Sequence, residues 1–245
     1  MTGSADADDV AAGIAARLAD VRARVRLAEA ASGRTGAAVR VLVATKTRDE
    51  AVARAVCDAG ARLVGENRVQ ELVAKGPVFR KAGVEAHLIG PLQRNKARDA
   101  VAWADCIESV DSAPLAERIS RLALEAGRTV GVMIQVNVSG EETKSGVAPG
   151  DALALAATAA ELPAIEIRGF MTVGLNSRDE AAVRAGYARL REIRDAALVR
   201  SASGRGPDLS GAWELSMGMS GDLEWAIAEG ATIVRVGTAI LGPRG

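Results

Sequence analysis

Residues 40–65 read "RVLVATKTRDEAVARAVCDAGARLVG", and the architecture of the chain can be worked out from this segment outward. Its two ends, 40–45 and 62–65, are short runs rich in β-branched residues, which are typical of strands. The segment between them has apolar residues at helical spacing and ends on Gly60, as helix C-caps prefer. Two strands joined by a helix in this way are expected to lie parallel, so the segment predicts an α/β protein.

The same alternation of strand and helix continues along the chain. It begins after a helical, Ala- and Arg-rich opening at roughly Asp6 to Ala31. The predicted strands are 40–45, 62–65, 86–90, 106–109, 130–138, 165–173, 213–217 and 232–237. Eight strands alternating with helices in 245 residues predict one (β/α)8 barrel domain over residues 1–245. A Rossmann-like sheet is disfavoured, because no G-x-G-x-x-G follows the first strand. Too few residues follow the last strand for a full eighth helix, so we expect the opening helix to take its place.

The composition limits the kind of partner. The formal net charge is zero at pH 7 and the basic residues are dispersed, which argues against a nucleic acid or an anionic membrane as the main partner. A small neutral or anionic ligand is favoured instead. No apolar run reaches the length of a signal peptide or of a membrane-spanning helix, so we expect a cytoplasmic protein.

Metal and hydrolase sites are disfavoured by the sequence. Cys57 and Cys106 are the only cysteines, they form no CxxC pair, and His87 is the only histidine. A metal shell therefore lacks ligands, and both cysteines are expected to be reduced thiols in the core. No G-x-S-x-G elbow accompanies His87, so a hydrolase built around it is also disfavoured.

Lys46 stands out because it directly follows the first predicted strand. In a (β/α)8 barrel this is the end of the strand where functional residues gather. Of the five lysines, Lys75 and Lys81 are expected on helix surfaces. Several other small or polar residues at strand ends also allow a purely structural interpretation, as turns or helix caps. They are Gly65, Asn67, Gly90, Ser109 and Ser112.

The last two strands are followed by segments that favour a phosphate. The stretches "SMGMSGD" (216–222) and "RVGT" (235–238) supply small and hydroxylated residues, and in barrels these two loops commonly bind phosphate at a helix N-terminus. A lysine facing a phosphate site suggests pyridoxal 5′-phosphate (PLP) attached as a Schiff base. The alternative is an aldolase-type barrel acting on phosphosugars, for which no acid/base partner is identifiable.

Several longer stretches carry a resemblance. "VATKT", "GENRVQEL", "HLIGPLQRNK", "QVNVSGEETKSG", "LSMGMSGDLEWAI" and "VRVGTAILGPR" together resemble the pyridoxal phosphate homeostasis proteins, from about residue 40 to residue 244. The resemblance implies a PLP barrel of fold type III, like the N-terminal domain of alanine racemase. It also implies a non-catalytic protein that acts in vitamin B6 homeostasis and amino and keto acid balance, and we expect a monomer. Apo forms of PLP-dependent enzymes would be its recipients.

The resemblance also implies roles for individual residues. Lys46 is the Schiff-base lysine, Arg235 faces the pyridine nitrogen, Asn67 lies beside the ring oxygen and His87 lies near the ring. The phosphate would be held by residues at and after the ends of the last two strands, namely Ser216, Gly237 and Thr238, with Gly218 and Ser220 as further contributors.

Two positions depart from the family pattern. Ala86 and Arg68 stand where family members often have aromatic residues. We therefore expect either looser packing around the ring or packing that Met171 and Met217 supply instead. Lys96 and Lys144 match family lysines in loops, where they serve either cofactor transfer or solvation.

The alternative function on this scaffold is an amino-acid racemase that uses PLP. Racemisation needs a second base, and the resemblance implies that alanine racemases take a tyrosine for it from an additional domain of a partner subunit. The only tyrosine here is Tyr187, predicted inside the helix after the sixth strand. The sequence therefore favours the carrier.

Overall fold

The computed structural model describes residues 3–34, 39–141, 145–204 and 206–242. Within these ranges, parallel strands close into a barrel in sequence order, with β1 paired to both β2 and β8. The strands are β1 Arg40–Ala44, β2 Leu63–Glu66, β3 Glu85–Leu88, β4 Cys106–Val110, β5 Val130–Gln135, β6 Ile165–Met171, β7 Glu214–Ser216 and β8 Ile233–Val236. The predicted (β/α)8 barrel and each of its strands are confirmed, and the largest difference is at β5, which ends at Gln135 rather than at 138.

Helices cover the outside of the barrel. They are α1 Gly3–Ala31, α2 Glu50–Asp58, α3 Val69–Ala82, α4 Ala97–Trp103, α5 Ala113–Glu125, α6 Ala152–Ala160, α7 Glu180–Ala202, α8 Leu223–Ala228 and α9 Thr238–Leu241, with a 3₁₀ turn at Arg94–Lys96. Asp49 and Asp179 start α2 and α7 by accepting the backbone N–H of Val52 and Ala182. None of the helices in the described ranges combines the length and apolarity needed to cross a bilayer.

Helix α1 occupies the place that the short α9 leaves in the ring of helices. Its apolar residues recur at spacings of three and four, and they are buried: Ile14, Leu18, Val21, Val25 and Ala28. The helix contacts α2, α8 and α9, and Arg24 pairs with Glu224 of α8 at 2.8 Å. The expectation that the opening helix completes the ring is therefore confirmed.

The barrel interior is only partly apolar. Part of it is filled by aliphatic and sulfur-containing side chains, including Met133, Met171 and Cys106. Towards the N-terminal ends of the strands it is charged, because Arg40 forms ion pairs with both Glu85 and Glu214, and Arg168 pairs with Glu85. Barrel interiors are usually filled by branched aliphatic residues, so the charged half of this barrel is unusual.

Candidate functional site

A cavity of about 320 Å³ opens at the C-terminal ends of the strands. It is lined by Ala44, Lys46, Thr47, Arg48, Asn67, Ile89, Val173, Met219, Ser220, Gly221, Arg235, Gly237, Thr238, Leu241 and Gly242. Six of the nine predicted site residues are therefore brought together: Lys46, Asn67, Ser220, Arg235, Gly237 and Thr238. They come from four different strand ends, as the convergence of a barrel requires.

The cavity is positively charged. Lys46, Arg48 and Arg235 contribute cations, and among its described lining residues none is acidic. Sequence reasoning missed Arg48, whose guanidinium donates to the carbonyls of Leu241 and Gly242 at 3.0 and 2.9 Å and so ties the end of α9 to the segment after β1. An anionic ligand with hydrogen-bond acceptors suits this lining.

Three predicted site residues, His87, Ser216 and Gly218, do not line the cavity. Ser216 and His87 are fully buried inside the barrel below it. Gly218 has a φ of +90°, and an added Cβ would lie 2.4 Å from the Cβ of Ala226, so glycine is required there for packing. Its carbonyl accepts the backbone N–H of Arg235 at 2.9 Å. The three residues lie beneath or behind the cavity wall.

Apolar contacts in the cavity come from residues that were not predicted. Met171 is buried in the barrel interior, and Met217 is buried in the core between barrel and helices, so neither lines the cavity. Ile89, Val173 and Met219 line it instead. Val173 and Met219 are exposed, and they form an apolar rim.

Below the cavity, five side chains form a continuous hydrogen-bonded series, here called the interior chain. Arg235 donates to Ser216 Oγ at 2.8 Å, and Ser216 donates to Glu108 Oε2 at 2.6 Å. His87 Nδ1 lies 2.6 Å from Glu108 Oε1, and its Nε2 lies 2.9 Å from Glu85 Oε1. The interior chain therefore connects the cavity to the charged N-terminal half of the barrel.

Pairing keeps the interior chain ionised. Burial alone would lower the pKa of His87, but its hydrogen bonds to Glu108 and Glu85 outweigh burial and raise the pKa to about 9. Burial would raise the pKa of both carboxyls, yet His87 and the nearby arginines lower the pKa of Glu108 and bring that of Glu85 to about 2. His87 is thus an imidazolium at neutral pH, with both ring nitrogens donating.

A second polar group, here called the outer cluster, lies between the strands and α3. It consists of Thr45, Glu66, Glu71 and Lys75. Lys75 Nζ lies 2.7 Å from Glu66 Oε1 and donates to the carbonyl of Thr45 at 2.8 Å. The expectation that Lys75 is a surface lysine is wrong, because only 3% of its side chain is exposed. Glu66 lies on the outward face of β2 under α3, so its partner on α3 is buried too.

Glu66 differs from the acids of the interior chain. Burial raises its pKa to about 7, although Lys75 and Thr45 both donate to the same oxygen and oppose that shift. Its other oxygen, Oε2, is buried and has no hydrogen-bond partner in the described part of the chain. The partners of Glu66 therefore compensate only part of the cost of burying its carboxylate.

Tyr187 supports the site from behind. It lies on α7, as expected, and is fully buried. Its hydroxyl donates to Asp222 Oδ2 at 2.8 Å, and Asp222 Oδ1 accepts the backbone N–H of Met219 at 2.6 Å. Burial, with Asp222 beside it, raises the pKa of the phenol above its usual value. Tyr187 thus holds the loop after β7.

The two loop lysines are placed differently. Lys96 ends the 3₁₀ turn after β3 and does not line the cavity. Lys144 lies outside the described residues.

Comparison with known proteins shows which family the chain belongs to. A model of the alanine racemase N-terminal domain matches residues 16–245. The chain is 42% identical over 232 residues to a pyridoxal phosphate homeostasis protein of Pseudomonas aeruginosa, which covers 94% of this chain and 96% of that protein.

Solved structures agree with the sequence comparison. A protein of Bifidobacterium adolescentis matches with a TM-score of 0.89 at 46% identity, over 95% of this chain and 96% of that one. PipY of Synechococcus elongatus, solved with PLP bound, matches with a TM-score of 0.78 at 36% identity, over 94% and 100% of the two chains. This chain therefore belongs to the family of pyridoxal phosphate homeostasis proteins, and its barrel is that of the alanine racemase N-terminal domain.

Proposed function

We propose that this chain binds PLP through Lys46 and serves in PLP homeostasis and amino and keto acid balance without catalysing a reaction of its own. The observation that carries the proposal is the placement of Lys46 on the same cavity as Arg235, Ser220 and Thr238. PLP supplies an electrophilic aldehyde and a dianionic phosphate. The Lys46 amine would condense with the aldehyde carbon, forming a C=N bond while the carbonyl oxygen leaves as water.

The lining of the cavity fits the two ends of this cofactor. Ser220 and Thr238 offer hydroxyls for the phosphate, and the cations of the cavity complement its charge. Helices α8 and α9 have only six and four residues, so their dipoles contribute little, and hydroxyls and side-chain cations are expected to carry phosphate recognition. Ile89 and Val173 offer apolar contact for the ring.

Two features support a carrier over a racemase. Tyr187 is buried behind the loop after β7, where it cannot reach a ligand as a second base. Arg235 carries a permanent charge and only donates hydrogen bonds, so beside a pyridine nitrogen it would disfavour the protonated ring that stabilises carbanions. Transfer of PLP from Lys46 to an incoming amine would need no such stabilisation. Apo enzymes that use PLP are the proposed recipients, with a monomer in the cytoplasm as donor.

The attachment can be tested by reduction. The protein is incubated with PLP, treated with borohydride and digested, and the modified peptide is identified by mass spectrometry. We expect the pyridoxyl group on Lys46, and we expect its loss in Lys46→Ala but not in the control Lys96→Ala. Pyridoxal without phosphate should bind far more weakly. Modification of Lys96 or Lys144 alone would refute the assignment.

The absence of catalysis is tested separately. The loaded protein is incubated with L- and D-alanine in deuterated water, and exchange and inversion at Cα are followed beside transfer of PLP to an apo enzyme. We expect transfer with negligible exchange. Turnover of about 1 per second or faster would mean that the carrier proposal is wrong.

A further inference from the structure

Lys46 lies in a tight turn with an unusual backbone. The carbonyl of Thr45 accepts the N–H of Arg48 at 3.2 Å, which makes Lys46 and Thr47 the two central residues of a four-residue turn. Thr47 has a φ of +64°. A positive φ at this position is the signature of a type II turn, which normally takes glycine.

Threonine is a costly residue for this position. A β-branched residue in the left-handed region is strained by about 1–3 kcal/mol, and such strain persists only where the surroundings hold the residue in place. Strained backbone of this kind gathers at functional sites. Specific contacts are therefore expected to hold the turn in this conformation.

The outer cluster holds both neighbours of Lys46. On one side, Lys75 donates to the Thr45 carbonyl at 2.8 Å, and the Thr45 hydroxyl donates to Glu66 Oε1 at 2.5 Å. On the other side, Glu71 Oε2 accepts the Thr47 N–H at 2.7 Å. Lys75 also lies 2.7 Å from Glu66 and 3.6 Å from Glu71, so the two sides belong to one group.

We propose that Glu71 and Lys75 of α3 are positioning residues that fix the turn around Lys46 and so direct its amine into the cavity. The inference rests on the proposed function, since it concerns how Lys46 meets the aldehyde. A reacting group displaced by about 1 Å can lose about 100-fold in rate, so a clamp on both flanking residues matters for an amine on a long, flexible side chain. Glu71 and Lys75 lie on the outer side of the strands and do not line the cavity.

The test compares rates of imine formation with PLP, followed by absorbance after mixing. Glu71→Leu removes the acceptor for the Thr47 N–H, whereas Glu71→Gln keeps an oxygen there. We expect Glu71→Leu to slow imine formation by about 10-fold or more and Glu71→Gln to stay within about threefold of the unsubstituted protein. Lys75→Met should also slow imine formation. Lys81→Met, on the exposed side of the same helix, is the matched control and should react normally.

A second ligand separates positioning from damage to the cavity. Pyridoxine 5′-phosphate has no aldehyde, so its affinity reports the cavity without Lys46 chemistry. We expect that affinity to be unchanged in Glu71→Leu, which alters a side chain that is 19% exposed and should fold. Equal rates for Glu71→Leu and the unsubstituted protein, or an equal loss in Glu71→Leu and Glu71→Gln, would overturn the inference. If the unsubstituted protein itself forms no bond at Lys46, the proposed function fails instead.

Discussion

The interior chain and the outer cluster both support cavity residues, one through Arg235 and the other through the turn at Lys46, but they treat buried charge differently. In the interior chain all four carboxylate oxygens of Glu108 and Glu85 have partners. In the outer cluster Lys75 and Thr45 share one oxygen of Glu66, and its Oε2 has no partner among the described residues. Complete pairing fixes ionisation over a wide pH range, whereas incomplete pairing leaves a carboxyl that titrates near neutrality.

The strongest way to break the interior chain is to remove its central cation. His87→Leu would take the imidazolium partner away from the fully buried Glu108, and removing one partner of a buried ion pair costs about 3–5 kcal/mol. We expect the free energy of unfolding to fall by that amount in urea denaturation at pH 7. A fall below about 1 kcal/mol would show that the imidazolium is not needed for this pairing.

The ionisation of His87 can be read directly, because it is the only histidine of the chain. Its single set of imidazole NMR signals should titrate near pH 9 rather than near 6.5. The folded protein keeps a proton that the unfolded chain releases at about pH 6.5, so stability should fall as pH rises from 6.5 to 9, by about 3 kcal/mol in total. His87→Leu should lack this slope. A titration at the ordinary value would contradict the pairing.

Glu66 should make the free energy of unfolding depend on pH in a lower pH range than His87 does. Its pKa rises from 4.5 to about 7 on folding, so the folded form keeps its proton longer and stability should fall as pH rises between these values. The decline should be about 3 kcal/mol, which is the free energy that corresponds to a pKa shift from 4.5 to about 7. The contribution of Glu66 is isolated by measuring the free energy of unfolding against pH for both proteins and subtracting the Glu66→Gln curve from that of the unsubstituted protein. Curves that stay parallel from pH 4.5 to 7 would mean that Glu66 is already ionised.

The smallest expected effect concerns the turn that the outer cluster holds. Thr47→Gly removes the strain of a positive φ but adds freedom to the unfolded chain, so stability should rise by about 1 kcal/mol or less. The matched control is Thr158→Gly on the exposed side of α6, which should destabilise by about 0.5 kcal/mol because glycine is the poorer helix former. A loss of stability in Thr47→Gly similar to the control would mean that the turn is not strained.

The barrel was predictable because its signals are local. β-branched runs mark strands, and closing eight strands brings their ends together, which is why Lys46, Asn67 and Thr238 could be placed on one cavity without any contact information. Alternation along a strand predicts that His87 and Ser216 point inward. It does not give their depth, so their position below the cavity was missed.

The buried lysine was missed for a different reason. Glu71 and Lys75 are four residues apart on α3, a spacing that usually marks an exposed ion pair. What buries Lys75 is Glu66 on β2, and that contact exists only after α3 packs on the barrel. Arg48 was overlooked in the same way, because its partners at Leu241 and Gly242 lie at the far end of the chain.

The position of α1 has a consequence for the order of folding. Ribosomal synthesis produces α1 and β1 long before their partners α8, α9 and β8. Until then β1 has an open edge, and the apolar stripe from Ile14 to Ala28 lacks part of its cover. Closure of the ring must therefore wait until β8 and α9 have been synthesised, and contacts across so many residues are slow to form. The nascent chain is most exposed to aggregation in that interval.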